Sequence, residues 1–289
     1  MSSVVFDRQE ELSVITVENA FATAKITPYG AQVLSFVPKN AKGVDLLWLS
    51  PSAVFNGRQA VRGGIPICWP WFGKHATKSP LPAHGFVRNL LWQLDRVKTL
   101  DCGATELIFS IESCESTLEM WPYEFHLALV VTVAEALSLR LITTNLSQQE
   151  MHFTEALHSY FNVKNVSNVS VSGLEGSTEI DALNKMARNV QAGSLSLSPP
   201  IDSIFLNHSD RAIIEDQRLS RHIFIHKQSS SSTVVWNPGS EIVKGFSDIP
   251  EASWPDFLCV ESGNVFENTV TLASGERHEL LLTLSSALF

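Results

Sequence analysis

The feature that most narrows what this chain can fold into is an alternation of apolar residues with a period of two. Leu127, Leu129, Val131 and Val133 alternate with Ala128, Val130 and Thr132, and after Ala134-Glu135-Ala136 the pattern resumes at Leu137, Leu139 and Leu141. Successive side chains of a strand point to opposite faces, so this reads as a hairpin with one buried face on each arm. Similar strands are predicted over 12–17, 20–27, 33–37, 106–112, 223–226, 233–236, 257–260 and 279–284, rich in the β-branched and aromatic residues that fit a pleated, half-buried surface. Helical periodicity is scarce, and the one short helix expected lies near 182–190. Many strands and few helices predict an all-β chain of packed antiparallel sheets, and 1–289 is expected to form one domain.

Three segments interrupt the strand pattern. Residues 50–89 carry many Gly, Pro and aromatic residues and are too long for a hairpin loop. Residues 193–202 (GSLSLSPPID) read as an ordered crossing loop or a flexible surface segment, and Ser229–Ser232 reads as a hairpin tip. Long irregular loops on a rigid scaffold are where function tends to sit.

Charge and composition exclude several classes. A net charge of −9 and a pI near 5.5 disfavour nucleic acid, whose phosphates attract basic surfaces. No apolar run approaches a membrane span, and no basic start with an apolar stretch behind it suggests a secretory signal. The four cysteines, Cys68, Cys102, Cys114 and Cys259, form no CxxC pair and read as free thiols of a reducing compartment, so a cytoplasmic protein is expected.

Three stretches could carry chemistry. The first is RGGIPICWPWFG from Arg62, followed by LPAHGFVRN, which contains His84 and Arg88. Guanidinium groups bind phosphate through paired charge-assisted hydrogen bonds, and aromatic faces suit the apolar faces of sugars; the plainer alternative is two surface salt bridges over core aromatics. The second is TEALHSYF, in which His158 titrates near neutrality and suits proton transfer, although a lone histidine is more often structural. On a strand His152 and His158 stand roughly 20 Å apart, too far to share a metal. The third is FLCVESGN, where Glu261 ends an apolar strand before a Gly turn and would emerge at a sheet rim as a general base or an ordinary ion-pair partner. Cys259 shares its strand parity and reads as a buried, inert thiol. Glu155 and His158 should point to opposite faces, which weakens a glycosidase reading with paired carboxylates at Glu155 and Glu261. A non-catalytic carbohydrate-binding module would not need both His158 and Glu261.

Taken in order, RGGIPICWPWFG, LPAHGFVRN, EALHSYF, VVWNP and CVESG resemble the glucose-6-phosphate 1-epimerase branch of the aldose 1-epimerase family, over about residues 30–285. The resemblance implies a galactose-mutarotase-like supersandwich of antiparallel sheets with an open sugar cleft. It also implies exchange of the α and β anomers of a hexose 6-phosphate without cofactor or metal. On this chain the catalytic pair would be His158 and Glu261, and the substrate contacts Arg62, Arg88, Asp202 and His84. Where some members carry a glutamine before HGF this chain has Ala83, which cannot donate a side-chain hydrogen bond. The partner expected is a small sugar phosphate, with neither nucleic acid nor membrane, and a monomer is expected. An epimerase of unphosphorylated aldoses is the alternative, decided by whether Arg62 and Arg88 face the cleft.

Overall fold

Every pairing between named strands in the computed structural model is antiparallel, and the pairings sort the strands into two large sheets and two smaller ones. The structure describes residues 2–75, 77, 80–208 and 210–289. The predicted hairpin is there: Phe125–Val133 pairs with Leu137–Asn145 residue for residue, and every second residue of the latter is buried. It lies inside a nine-stranded sheet with the central strand Arg277–Leu288 beside it. An eight-stranded sheet faces it, built around Ser232–Asn237 and Phe257–Asn264. Leu129, Leu139, Leu141, Ile223 and Leu282 from the first sheet and Phe205, Val235, Leu258 and Val260 from the second fill one core. Four N-terminal strands, Ser3–Gln9 to Gln32–Pro38, form a further sheet whose Ile15, Val17, Ala24 and Ile26 join that core.

Three local expectations are corrected. Residues 182–190 are not a helix: Thr178–Asp181 and Ala187–Val190 form a hairpin. The Asp181 carboxylate accepts from the Leu183 and Asn184 amides, and Lys185 and Met186 adopt positive φ, which an α-helix cannot accommodate. Ser229–Ser232 is not a hairpin tip but a crossover, because Arg221–Gln228 belongs to the nine-stranded sheet and Ser232–Asn237 to the eight-stranded one. The strand carrying Glu261 does not stop there; it runs to Asn264 and is buried throughout. Residues 193–202 do cross between sheets, from Leu195–Ser196 to Ile201–Leu206.

Backbone hydrogen bonds tie the long 50–89 segment to the sheets. Gly64 donates to the Trp48 carbonyl (2.7 Å) and Ile65 to that of Val33 (2.8 Å), while Ile67–Cys68 pairs with Glu155–Leu157. The Gln32 side chain donates to the carbonyls of Val61 and Gly63, closing the start of the segment. Gly85 is required further on. Its φ is +73°, and a Cβ there would overlap the Trp69 carbonyl oxygen that receives the Phe86 amide. Gly85→Ala is therefore expected to lower the unfolding free energy by at least about 2 kcal/mol, read from urea denaturation. A near-neutral result would mean that the segment is not held by this approach.

One ion pair joins the two large sheets. Glu155 is fully buried, and its Oε1 meets His278 Nε2 at 2.7 Å and the Asn264 amide at 2.9 Å. Burial alone would lower the His278 pKa, but the hydrogen bond and charge of Glu155 outweigh it and the net shift is upward. A histidine raised in the folded state adds stability that is complete below the ordinary value near 6.5 and lost as pH climbs through the raised one. His278→Gln should consequently narrow the urea midpoint more at about pH 6 than at about pH 9. Equal losses at both would show that the pair contributes packing and no charge.

Candidate active site

The eight-stranded sheet has two faces with different tasks. Along Phe257–Asn264, Leu258 and Val260 enter the core between the sheets, whereas Phe257 and Cys259 pack on the other side with Trp48 and Tyr160. Glu261 shares the parity of the second set. The pairings Leu157↔Ser262 and Tyr160↔Cys259 carry the register through residues 158 and 159, so His158 falls directly opposite Glu261 on the neighbouring strand. Val234 pairs with Glu261, Trp236 with Cys259 and Asp202 with Trp236, which brings Asp202 to the same face. Simple β-sheet alternation thus gathers residues from four separate chain segments.

These side chains line a cavity of about 290 Å³ together with Arg62, His84 and Tyr160. His158 Nε2 lies 3.2 Å from Glu261 Oε1, and the two residues are 7% and 1% exposed. They stand side by side on adjacent strands, not across the cavity from each other. His158 Nδ1 and Glu261 Oε2 have no hydrogen-bond partner among the described residues, an arrangement that costs free energy unless a ligand or water completes it. Burial above all, then the neighbouring His84 and the arginines, pushes His158 well below its ordinary pKa. Burial, then the Asp202 carboxylate, pushes Glu261 well above the carboxylate range. Both shifts favour a pair without net charge, with one mobile proton on the carboxyl–imidazole contact. The histidinium and carboxylate of the proton-transfer reading are the forms that both shifts disfavour.

His84 approaches from the 50–89 segment. Its φ is +62°, its amide donates to the Gly73 carbonyl (2.6 Å), and its ring centroid is 5.8 Å from that of His158. Burial, with Arg88 and Arg62 nearby, lowers its pKa to about 3, so it is a neutral imidazole. Asp202 is raised by burial and by Asp181.

A second chamber of about 360 Å³ opens beside the first, sharing Arg62, Tyr160 and Phe246 as its wall. Arg58 and Arg88 line it. Arg62 Nε is held by Asp248 at 3.1 Å and its Nη1 donates to the Tyr160 hydroxyl at 3.0 Å. The Arg88 Nη2 donates to the Ala83 carbonyl at 2.9 Å, and its buried Nε has no partner among the described residues. Three arginines thus line a polar space adjoining the His158–Glu261 pair.

Of the residues singled out in the sequence, Arg62, His84, His158, Asp202 and Glu261 meet in one cavity, and Arg88 faces the adjoining chamber. Glu155 lies on the opposite face with His278, and His152 is exposed beside Glu150. Sequence reasoning did not single out Tyr160, Trp236, Phe72, Phe246 or Asp248. For Tyr160 a signal existed, since it lies two residues beyond His158 and shares its face. Phe246 and Asp248 come from a helical turn and loop with no period to read.

Known proteins resemble this chain in sequence and in fold. The family profile for aldose 1-epimerase matches residues 13–285. A protein of Escherichia coli strain K12, provisionally named glucose-6-phosphate 1-epimerase, is 36% identical over 259 residues, covering 89% of this chain and 85% of the other. The crystal structure of YeaD from Salmonella typhimurium, provisionally named a mutarotase, superposes with a TM-score of 0.92 at 32% identity, covering 99% of this chain and 94% of that one. A galactose mutarotase related enzyme from Lactobacillus acidophilus shares the fold with a TM-score of 0.75 at 14% identity, covering 99% and 97% of the two chains. The expected supersandwich is the fold observed.

The electrostatics of the pair can be tested directly. The ring nitrogens of His158 should give neutral-imidazole ¹⁵N shifts at about pH 7, and protonation should begin only well below the ordinary value near 6.5. An imidazolium signal at neutral pH would contradict the uncharged pair.

Proposed function

The chain belongs to the aldose 1-epimerase family, and from that premise we propose that it interconverts the α and β anomers of a hexose 6-phosphate, glucose 6-phosphate first among them. The observation that carries the reading is the His158–Glu261 contact of 3.2 Å, in a cavity that adjoins an arginine-lined chamber. The phosphate occupies the chamber of Arg62 and Arg88, and the pyranose lies in the cavity with C1 and the ring oxygen at the pair.

The pair supplies both halves of the chemistry. Moving the mobile proton from Glu261 to His158 makes a carboxylate base and an imidazolium acid. Glu261 then takes the proton of the C1 hydroxyl while the C1–O5 bond breaks and O5 receives the proton of His158. The product is the open-chain aldehyde, with both protein groups uncharged. Rotation about C1–C2 presents the other carbonyl face. O5 attacks C1, returns its proton to His158, and the new C1 hydroxyl takes the proton from Glu261. Nothing is consumed. Burial of the pair favours its uncharged form both before ring opening and in the open-chain state, so the charged form is short-lived. Asp202 adds to this by raising Glu261, and neutral His84 is placed to hydrogen-bond a sugar hydroxyl.

Anomer exchange by NMR saturation transfer tests the assignment. Wild type should accelerate exchange on glucose 6-phosphate, and Glu261→Gln should lose roughly 10²–10⁴-fold, the usual contribution of one positioned proton-transfer group. No acceleration by wild type on any hexose or its phosphate would sink the reading. Arg88 touches the anion chamber only, so Arg88→Gln should cost about 10-fold or more in kcat/KM for the phosphorylated sugar and far less for free glucose. Equal losses on both would leave catalysis in place and remove the phosphate from that chamber.

A further inference from the structure

Tyr160 occupies the junction of the two chambers, lining both, and neither its ring nor its hydroxyl is free to move. The ring lies nearly parallel to that of His158, with centroids 4.8 Å apart and planes 9° apart. Trp48 and Phe257 pack against it with centroids at 5.9 Å and 5.6 Å, so the phenol cannot swing away from the imidazole. At its other end the phenolic oxygen accepts a hydrogen bond from Arg62 Nη1 at 3.0 Å, and Arg62 is itself anchored by Asp248. A phenol can also donate. Among the described residues no acceptor receives the Tyr160 proton, although the residue is almost fully buried.

A buried hydroxyl whose lone pair is engaged by a guanidinium, and whose proton has no acceptor among the described residues, is prepared for an acceptor on a ligand. The neighbouring arginines select an anionic acceptor. We infer that Tyr160 is a specificity-determining residue: its O–H donates to the phosphate group held by Arg62, while the same ring fixes the plane of the His158 imidazole. The group that recognises the phosphate is then the group that orients the acid. Phosphate binding and proton transfer meet in one rigid side chain. Desolvation keeps the phenol protonated despite the charge of Arg62, so it acts as a donor and never as an anion. The inference rests on the hexose 6-phosphate reading.

The test uses Tyr160→Phe, which keeps the ring and removes only the hydroxyl. Anomer exchange is measured on glucose 6-phosphate and on glucose, with wild type and Arg88→Gln in parallel. The ratio of the two kcat/KM values should fall about tenfold in Tyr160→Phe, the size of one lost hydrogen bond to a charged group. An unchanged ratio in Tyr160→Phe, beside a reduced one in Arg88→Gln, overturns the role of Tyr160 and leaves the phosphate reading standing. No preference for the phosphorylated sugar in wild type overturns both. Should Tyr160→Phe fail to fold, wild type carries a second readout. The chain has three tyrosines, at 29, 123 and 160, so ring-ζ ¹³C labelling gives a short set of signals to follow while inorganic phosphate is added. The Tyr160 signal should shift saturably, and a signal that stays still at saturating phosphate overturns the inference.

Discussion

The rest of the site depends on one stretch of strand pairing. Residues 155–162 run antiparallel to Phe257–Asn264, with Leu157 opposite Ser262 and Tyr160 opposite Cys259. A slip of one residue would turn Glu261 into the core and Val260 into the cavity, because side chains alternate. That slip is forbidden from both sides. Leu258 and Val260 must remain between the sheets, and Phe257 and Cys259 are packed against Trp48 and Tyr160. Glu155 adds a polar lock three residues from His158: it receives Asn264 from the same neighbouring strand and His278 from the opposite sheet. Register is specified twice by apolar packing and once by charge.

Placing ionisable groups on such a strand has an electrostatic consequence. A carboxylate in mid-strand loses water on both faces, and its neighbour on the next strand loses it as well. Charged, each would carry a desolvation penalty of several kcal/mol; as a neutral pair sharing one proton they avoid most of it. Arg62 lines the same cavity and Arg88 the adjoining chamber, and among the described residues neither closes an ion pair with Glu261. Arg62 instead meets Asp248, and Arg88 meets a backbone carbonyl. Those contacts leave the arginines beside the His158–Glu261 pair without neutralising it.

How much of this was legible in the sequence follows from the range of the forces involved. Period-two patterning is local, so the hairpin Phe125–Val133 to Leu137–Asn145 could be read directly, as could the opposite faces of Glu155 and His158. The helix expected near 182–190 failed because local composition resembled a helix while Asp181 and two positive-φ residues closed a turn. Ser229–Ser232 failed for a different reason. Two strands close in sequence need not share a sheet, and only the packing of distant segments decides it. Glu261 was placed at a rim because Gly263 looked like a turn; the glycine instead lets the main chain pass close to Glu155, whose carbonyl oxygen leaves no room for a Cβ. The resemblance to known epimerases pointed to six residues but not to Tyr160, whose contacts with Arg62 and His158 at its two ends appear only in the folded chain.

The division of labour across the molecule has a physical basis. Proton transfer tolerates little positional error, and the two groups proposed for it stand on paired strands in the rigid sheet. Anion recognition acts over a longer range and tolerates more, and the arginines proposed for it lie on the 50–89 segment, fastened to the sheets by scattered backbone hydrogen bonds. Loop residues can change without disturbing the register on which His158 and Glu261 depend. On the proposed reading, substrate preference can therefore change through loop residues such as Arg58 and Arg88 while His158 and Glu261 stay fixed. The side chain that resists such independence is Tyr160, because it belongs to the sheet and contacts the loop at once.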